Sequence, residues 1–304
     1  MKMIGQPVCK GCGKPITGRY LTALAATWHP EHFVCMACGR PITDARFKLN
    51  EDHPYHEVCY AREIAPRCAY CGKPLTDSYL VDYWGTKFCR EHQGQYASCD
   101  FCGRLILPAD RETGAEVTRC RICRASAIET AEDARPLFRK VIQWVSHQRL
   151  HYHQLPLSLE LCGKAKLLQY LRENGSTHSL GATMGVFYTQ DGQVTSAEVR
   201  GVAVLYGLPS IVFESVVAHE LGHVWLIVQG MSHGTPWREE GFCELLSYNY
   251  LRFRNTPESQ YRAENMERNP DPIYGDGFRR IRAQVEQRGF ERFVTEIERS
   301  KRWP

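Results

Sequence analysis

Residues 218–223 read Ala218-His219-Glu220-Leu221-Gly222-His223, and this stretch decides how the C-terminal half of the chain is understood. It lies in an apolar segment, for which we expect a helix with Ser210 as its N-cap. On a helix His219 and His223 lie about 40° apart on one face, so both imidazoles can reach one Zn²⁺. Glu220 then lies beside the metal and can take a proton from a zinc-bound water. The pattern predicts a hydrolytic zinc site; the alternative is a helix whose histidines only satisfy hydrogen bonds.

A third zinc ligand is expected in the segment Trp237-Arg238-Glu239-Glu240-Gly241-Phe242, which reads as the start of a second helix. This segment resembles the N-E-G-F-A segment of gluzincin metallopeptidases. The resemblance implies that Glu239 takes the asparagine position and that Glu240 binds zinc. Two histidines and one carboxylate leave one coordination position open for water, as a hydrolytic zinc site requires. Glu239 and Glu244 remain alternatives for the third ligand.

The N-terminal half carries eight pairs of zinc ligands, which form four groups with spacers of 16, 17, 17 and 17 residues. The near-constant spacer fits a short two-stranded connection that returns the chain to the same metal. Four soft ligands make a closed structural site, so we expect four structural zinc ions beside one catalytic zinc. Disulfides are the alternative, but they need an oxidising compartment. The groups are Cys9, Cys12, His29 and His32; Cys35, Cys38, His56 and Cys59; Cys68, Cys71, Cys89 and His92; and Cys99, Cys102, Cys120 and Cys123.

The first two groups resemble a LIM domain, because only two residues separate His32 from Cys35. His32 stands where that family usually has cysteine. The last two groups are LIM-like, with six residues between His92 and Cys99. A glycine follows the second cysteine of each group, where it permits a left-handed turn that directs backbone N–H groups toward the thiolates. LIM domains are protein-interaction modules, and the interleaved acidic and basic residues of the loops argue against a nucleic-acid surface.

The composition is that of an ordinary folded protein, with 304 residues, a formal net charge of +4 and 43% hydrophobic residues. We expect an α+β multidomain protein, with a zinc-ribbon LIM domain at 1–64 and LIM-like tandem fingers at 65–125. A mainly helical zincin domain, gluzincin-like and with a small β-sheet, is expected at 126–304. We expect no apolar run long enough to span a membrane. The N-terminus lacks the apolar core of a signal peptide, which favours a cytoplasmic protein.

Local patterns predict the remaining elements of the C-terminal half. Pro136 is expected as the first residue of a helix. Residues 194–206 read as a strand, whose section Val199–Val204 is expected to pair with an extended substrate. Turns are expected at 173–176, 191–193 and 230–234, and charged residues with helical period, 278–303, are expected to pack on the core. His151 and His153 are expected to be core or surface residues rather than metal ligands.

Nearly the whole chain resembles the ubiquitin-activated LIM peptidases that limit organ size in plants, the DA-one family. The resemblance implies a compact bacterial-type relative, a latent zinc endopeptidase that cuts selected proteins. Its LIM fingers would recognise substrate, ubiquitin or ubiquitinated proteins, or hold the enzyme latent. An interaction scaffold with an inactive peptidase fold is the alternative. The shared motifs are Trp28-His29-Pro30-Glu31, His151-Tyr152-His153, Tyr206-Gly207-Leu208-Pro209, Glu239-Glu240-Gly241 and Pro272-Ile273-Tyr274-Gly275-Asp276-Gly277-Phe278-Arg279.

The reaction also needs a donor for the oxyanion that forms on the scissile carbonyl. Tyr274 is the candidate, because the Tyr274-Gly275-Asp276-Gly277 segment can direct a phenol into the cleft. A purely structural turn is the alternative at this position.

Overall fold

A computed structural model of the chain describes residues 6–152, 155–171, 179–190, 193–231 and 235–304. The predicted turn at 173–176, residues 191–192 of the next turn, residues 232–234 of the following loop and His153 lie outside the described residues. The chain divides into two compact units, Met1–Tyr96 and Ala97–Pro304. Each unit is described by itself.

The first unit is built from three antiparallel hairpins, each lying between the two ligand pairs of one group. The predicted two-stranded connection is therefore confirmed for the first three groups. The glycine after the second cysteine has the expected left-handed backbone, with φ of 70° at Gly13, 69° at Gly39 and 72° at Gly72. The elements are β1 (Leu21–Ala23), β2 (Ala26–Trp28), β3 (Phe47–Asn50), β4 (His53–His56), α1 (Glu57–Glu63), β5 (Tyr79–Val81) and β6 (Lys87–Cys89).

The second unit joins the fourth ligand group to a larger helical region. Its elements are β7 (Ala97–Ser98), β8 (Leu105–Ile106), α2 (Arg121–Ala125), β9 (Ala127–Ile128), α3 (Ala131–His147), β10 (Ser158–Cys162), α4 (Lys164–Tyr170), β11 (Gly181–Gln190), β12 (Gln193–Leu205), β13 (Leu208–Pro209), α5 (Ser210–Val228), α6 (Pro236–Arg254), α7 (Pro257–Glu267), α8 (Gly275–Arg288) and α9 (Phe290–Ser300).

The fourth group departs from the other three. Its small β7–β8 pair flanks the first two cysteines instead of filling the spacer, so the predicted two-stranded connection is wrong for this group. Arg119 ties the group to the helical region, because its guanidinium donates to the Gly207 carbonyl at 2.8 Å and pairs with Glu129 at 2.6 Å. The division of the chain at 96/97 thus cuts across the 65–125 segment, and the expected boundaries at 64/65 and 125/126 stay predictions.

The main sheet has three strands in the order β10-β12-β11, with β12 parallel to β10 and antiparallel to β11. The predicted strand at 194–206 is confirmed as β12. The expected pairing with substrate is wrong for Gly201–Val204, because for example Ala203 already lies opposite Glu160 on one side and Ala182 on the other. Val199 and Arg200 lie outside the register with β10, and for them the pairing stays a prediction. Within the described residues β11 is an edge strand of this sheet, and its outer side is therefore the alternative place for an extended substrate.

Two predicted helix starts need correction. Helix α3 begins at Ala131, where Thr130 caps it by accepting a hydrogen bond from the Asp133 N–H at 3.2 Å, so Pro136 lies inside the helix. Ser210 is the first residue of α5 and Pro209 is its N-cap. The reason is that the chain just before α5 pairs as β13 with β9, which holds Pro209 in an extended conformation.

Helix α5 forms the centre of the second unit, packed against α3, α6, β11 and β12. It is long and apolar enough to cross a membrane by length and composition, which corrects the expectation that no run reaches that length. Of its apolar window, 72% is buried inside the protein, as in the core helix of a folded domain. At the C-terminus α8 and α9 confirm the predicted helical period, and Phe293, Val294 and Ile297 are buried.

Candidate metal and catalytic site

The candidate site lies where α5 and α6 cross, and glycines permit their close approach. A Cβ on Gly222 would lie 2.9 Å from Cys243 Sγ and 3.1 Å from Cys243 Cα. A Cβ on Gly241 would overlap the backbone of Gly277, at the start of α8. Any larger residue at these positions would push the helices apart. The crossing therefore brings the carboxylates of α6 to the histidines of α5.

Three side-chain atoms meet at this crossing with the spacing of a zinc site. The Nε2 atoms of His219 and His223 are 3.2 Å apart, and Glu240 Oε2 lies 3.2 Å from the first and 3.5 Å from the second. Tetrahedral zinc with bonds of about 2.0–2.1 Å needs ligand atoms about 3.3–3.4 Å apart. The three atoms fit one face of such a tetrahedron, so the residues suit the metal that the sequence predicts.

Glu244, an alternative third ligand in the sequence, occupies a different place. Its Oε1 lies 3.0 Å from Nδ1 of His219, on the ring nitrogen that does not face Glu240. A carboxylate there accepts the second N–H of a ligating histidine, fixes its tautomer and makes it more basic. This geometry favours Glu240 as the ligand and Glu244 as its support. Glu239 is half-buried on the same helix turn.

The charged groups of the site shift one another's pKa values. Burial lowers the pKa of His219, but Glu240 and Glu244 outweigh this effect and raise it well above its ordinary value. Burial raises the pKa of Glu240, but the two histidines reverse this and hold it well below the usual range of a carboxyl group. A carboxylate that stays ionised beside two imidazoles is suited to bind a divalent cation.

Cys243 is another possible metal-binding side chain beside the two histidines. It is fully buried, and its Sγ forms a group with His219 and His223 in which all ligand atoms lie within 4.8 Å of one another. Burial raises the pKa of this thiol well above its ordinary value, which favours the neutral form over the thiolate that binds metals. Its packing against Gly222 accounts for its position. We therefore assign Cys243 to the helix interface.

The predicted general base and oxyanion donor both lie near these ligands. Glu220 is only 6% exposed, and its Oε2 accepts a hydrogen bond from the Thr183 hydroxyl at 2.9 Å. The ring of Tyr274 lies 6.5 Å, centroid to centroid, from that of His219. Burial, followed by the charges of Glu240 and other nearby carboxylates, raises the pKa of Tyr274, so its phenol keeps its proton at neutral pH. His151, by contrast, is exposed.

The four ligand groups of the fingers also come together as predicted, and their ligand atoms lie within 4.8 Å of one another in each group. The Sγ atoms of Cys71 and Cys89 are 3.7 Å apart, and those of Cys102 and Cys120 are 3.6 Å apart. Tetrahedral zinc–thiolate bonds of about 2.3 Å require about 3.8 Å. Both ring nitrogens of His92 are buried without a hydrogen-bond partner among the described residues, which a metal bond to one of them would explain. The groups fit zinc binding.

Two features of the site were missed in the sequence. The support role of Glu244 had a signal, because a residue four positions after Glu240 lies on the same helix face. Thr183 had none: it lies 37 residues before Glu220, on a strand whose contact with α5 depends on the folding of the whole sheet.

Comparisons with known proteins identify related sequences for two regions of the chain. A family model described as DA1-like, Protein DA1, matches residues 169–264, which contain the candidate ligands, and a LIM domain model matches residues 9–64. The chain is 25% identical to Protein DA1 of Arabidopsis thaliana, over 98% of this chain and 68% of that protein. It is 27% identical to Protein DA1-related 2 of the same plant, over 98% and 70%. It is 26% identical to the LIM domain-containing protein HDR3 of Oryza sativa subsp. japonica, over 84% and 58%.

The chain therefore combines a LIM domain with a DA1-like domain. It is homologous to Arabidopsis Protein DA1 and its related proteins and to rice HDR3, which confirms the predicted relationship to the DA-one family.

Proposed function

We propose that the chain is a zinc-dependent endopeptidase with a gluzincin-like site. The observation that carries the proposal is the set of 3.2–3.5 Å distances among His219 Nε2, His223 Nε2 and Glu240 Oε2. When bound there, Zn²⁺ would polarise the scissile carbonyl and lower the pKa of a water molecule. Two imidazoles and one carboxylate leave a coordination position for these groups.

Residues of this chain then provide proton transfer, stabilisation of the oxyanion and binding of the substrate backbone. Glu220 accepts the proton of the attacking water and delivers it to the leaving amine. Tyr274, which keeps its phenol proton, donates a hydrogen bond to the developing oxyanion. The outer edge of β11 near Gly181–Gly185 provides backbone groups for an extended substrate, since this end of the strand passes Glu220.

The zinc-binding fingers serve recognition in this proposal. LIM modules contact other proteins, so we assign them to the binding of protein substrates or of ubiquitin and ubiquitinated proteins, or to keeping the enzyme latent. Fourteen cysteines without a disulfide among the described residues fit a reducing compartment, for which we propose the cytoplasm. A nucleic-acid partner and a membrane partner are not part of the proposal.

Cleavage of casein and of a ubiquitin-fusion substrate by the wild type and by Glu220→Gln tests the proposal. The wild type should cut in a chelator-sensitive way, and Glu220→Gln should lose at least about 100-fold in kcat, because general base catalysis contributes about 10²–10⁴-fold. Both proteins should hold the same amount of zinc. Equal activity in the two would overturn the hydrolytic assignment, and inactivity of both would favour an interaction scaffold with an inactive peptidase fold.

A further inference from the structure

The strand that crosses the catalytic helix carries a hydroxyl directed at the general base. Thr183 Oγ1 lies 2.9 Å from Oε2 of Glu220 and 3.1 Å from the Glu220 carbonyl oxygen. A hydroxyl has one proton to donate, and an ionised carboxylate is the stronger acceptor of the two. This hydrogen bond thus links the carboxylate of Glu220, a residue of α5, to strand β11. This contact fixes one of its two oxygen atoms.

The other oxygen of the Glu220 carboxylate lies against Gly181, which precedes Thr183 by two residues on β11. A Cβ on Gly181 would lie 2.9 Å from Oε1 of Glu220, 3.0 Å from its Cγ and 2.5 Å from Cγ1 of Val216. Residues two apart on a strand face the same side, so Gly181 and Thr183 both face α5. The strand therefore leaves space for one oxygen of Glu220 and provides a donor for the other.

The register of the sheet holds this pair in place. Gly181 lies opposite Val204 and Thr183 opposite Val202, both on the central strand β12. Val202 and Val204 are fully buried. A shift of β11 by one residue would turn Thr183 away from the helix and direct its neighbours at Glu220. The donor is thus positioned by the core of the domain rather than by a loop.

We infer that Thr183 is a positioning residue for the general base, acting through its hydrogen bond to Glu220, with Gly181 providing the space in which that carboxylate lies. The inference rests on the proposed peptidase function. A general base must lie within hydrogen-bond reach of the proton that it takes, so a carboxylate free to rotate would catalyse less well. Loss of the hydroxyl should then lower kcat and leave KM unchanged.

The test compares Thr183→Val, which keeps the shape and removes the hydroxyl, with Thr183→Ser, which keeps the hydroxyl. Thr295→Val on α9 is the matched control, because among the described residues its hydroxyl donates to the Glu291 carbonyl of its own helix. Casein-peptide kinetics, zinc content and melting temperature are measured for each zinc-loaded protein. We expect Thr183→Val to lose about 10- to 100-fold in kcat, as for a hydrogen bond to a charged group, with KM within about twofold. Thr183→Ser should stay within about threefold of the wild type.

Crystal structures of the zinc-loaded wild type and Thr183→Val provide a readout that does not depend on turnover. In Thr183→Val the Glu220 carboxylate should leave its wild-type position or occupy two rotamers. If Thr183→Val melts early, Thr183→Ala repeats the test, and Gly181→Ala should displace Glu220 by itself. Wild-type kcat in Thr183→Val, while Glu220→Gln is inactive, overturns this inference alone. An inactive wild type overturns the proposed function, and an unmoved Glu220 in the Thr183→Val crystal then overturns the inference as well.

Discussion

Replacing Glu244 by alanine should weaken zinc binding at the candidate site of His219, His223 and Glu240, although Glu244 is not one of the three proposed ligands. Glu244 Oε1 lies 3.0 Å from Nδ1 of His219, and the two side chains are 19% and 14% exposed, so water replaces the lost acceptor poorly. Removal of such an outer partner typically costs about 10- to 100-fold in metal affinity. That range corresponds to about 1.4–2.8 kcal/mol of binding free energy. Glu244→Gln should lose less, because its amide oxygen still accepts the imidazole N–H.

A competition titration with a chromophoric chelator measures this effect. The four cysteine-rich groups should fill first, so the Kd of the last zinc equivalent reports the site of His219 and His223. Glu258→Ala is the control, since Glu258 is exposed on α7. A Kd for Glu244→Ala within about twofold of the control would refute the support role of Glu244 and favour its assignment as a packing residue.

Three further predictions concern stability and protons. Glu214, which is 1% exposed, pairs with Lys140 at 3.3 Å and with Arg254. The two cations are 45% and 24% exposed, so water partly replaces the lost carboxylate, and Glu214→Ala should cost about 1–3 kcal/mol in the free energy of unfolding by urea. An unchanged free energy of unfolding would contradict this. Arg119→Met should cost about 3 kcal/mol by the same assay, because the buried Gly207 carbonyl and the partly buried Glu112 carboxylate lose their donor. The exposed Arg121→Met should cost little. Glu240 and Glu244 outweigh burial and raise the pKa of His219 well above its ordinary value, so zinc binding at this site should release protons from the ring. The zinc affinity should fall as the pH drops below that raised pKa. Calorimetry of the last zinc equivalent, in buffers of different ionisation enthalpy, that finds no proton release would refute this.

Much of the metal chemistry could be predicted because ligand spacing is local information. Two cysteines separated by two residues, and a second ligand pair that follows after 16 or 17 residues, leave few ways to complete a tetrahedron. The same is true of His219 and His223, whose relative orientation follows from one helical turn. In each case short-range geometry determines which atoms meet.

The assignment of the third ligand needed information about the fold. Glu239, Glu240 and Glu244 lie within six residues of one another, and the angle at which α6 crosses α5 decides which of them faces the imidazoles. That angle depends on the close approach at Gly222, whose partner on α6 is 21 residues away in sequence. The resemblance to gluzincins pointed to Glu240, and the distances at the site favour it.

The position of residues 199–204 within the sheet could not be predicted from the sequence. Residues 199–204 read as a strand from composition alone, but β propensity does not say which strands lie beside it. The parallel pairing of β10 and β12 joins segments about 40 residues apart, and it places Gly201–Val204 between two strands. Arg119 is a similar case, because its contact with Gly207 spans 88 residues and joins the fourth finger to the helical region of the same unit.

A crystal structure of the zinc-loaded chain, with anomalous diffraction recorded at the zinc edge, tests the central claim most directly. The account predicts five zinc peaks, one of them bound by His219, His223 and Glu240 and by no fourth side chain. A site that lacks this peak, or one in which Cys243 Sγ completes the tetrahedron, would contradict a hydrolytic role.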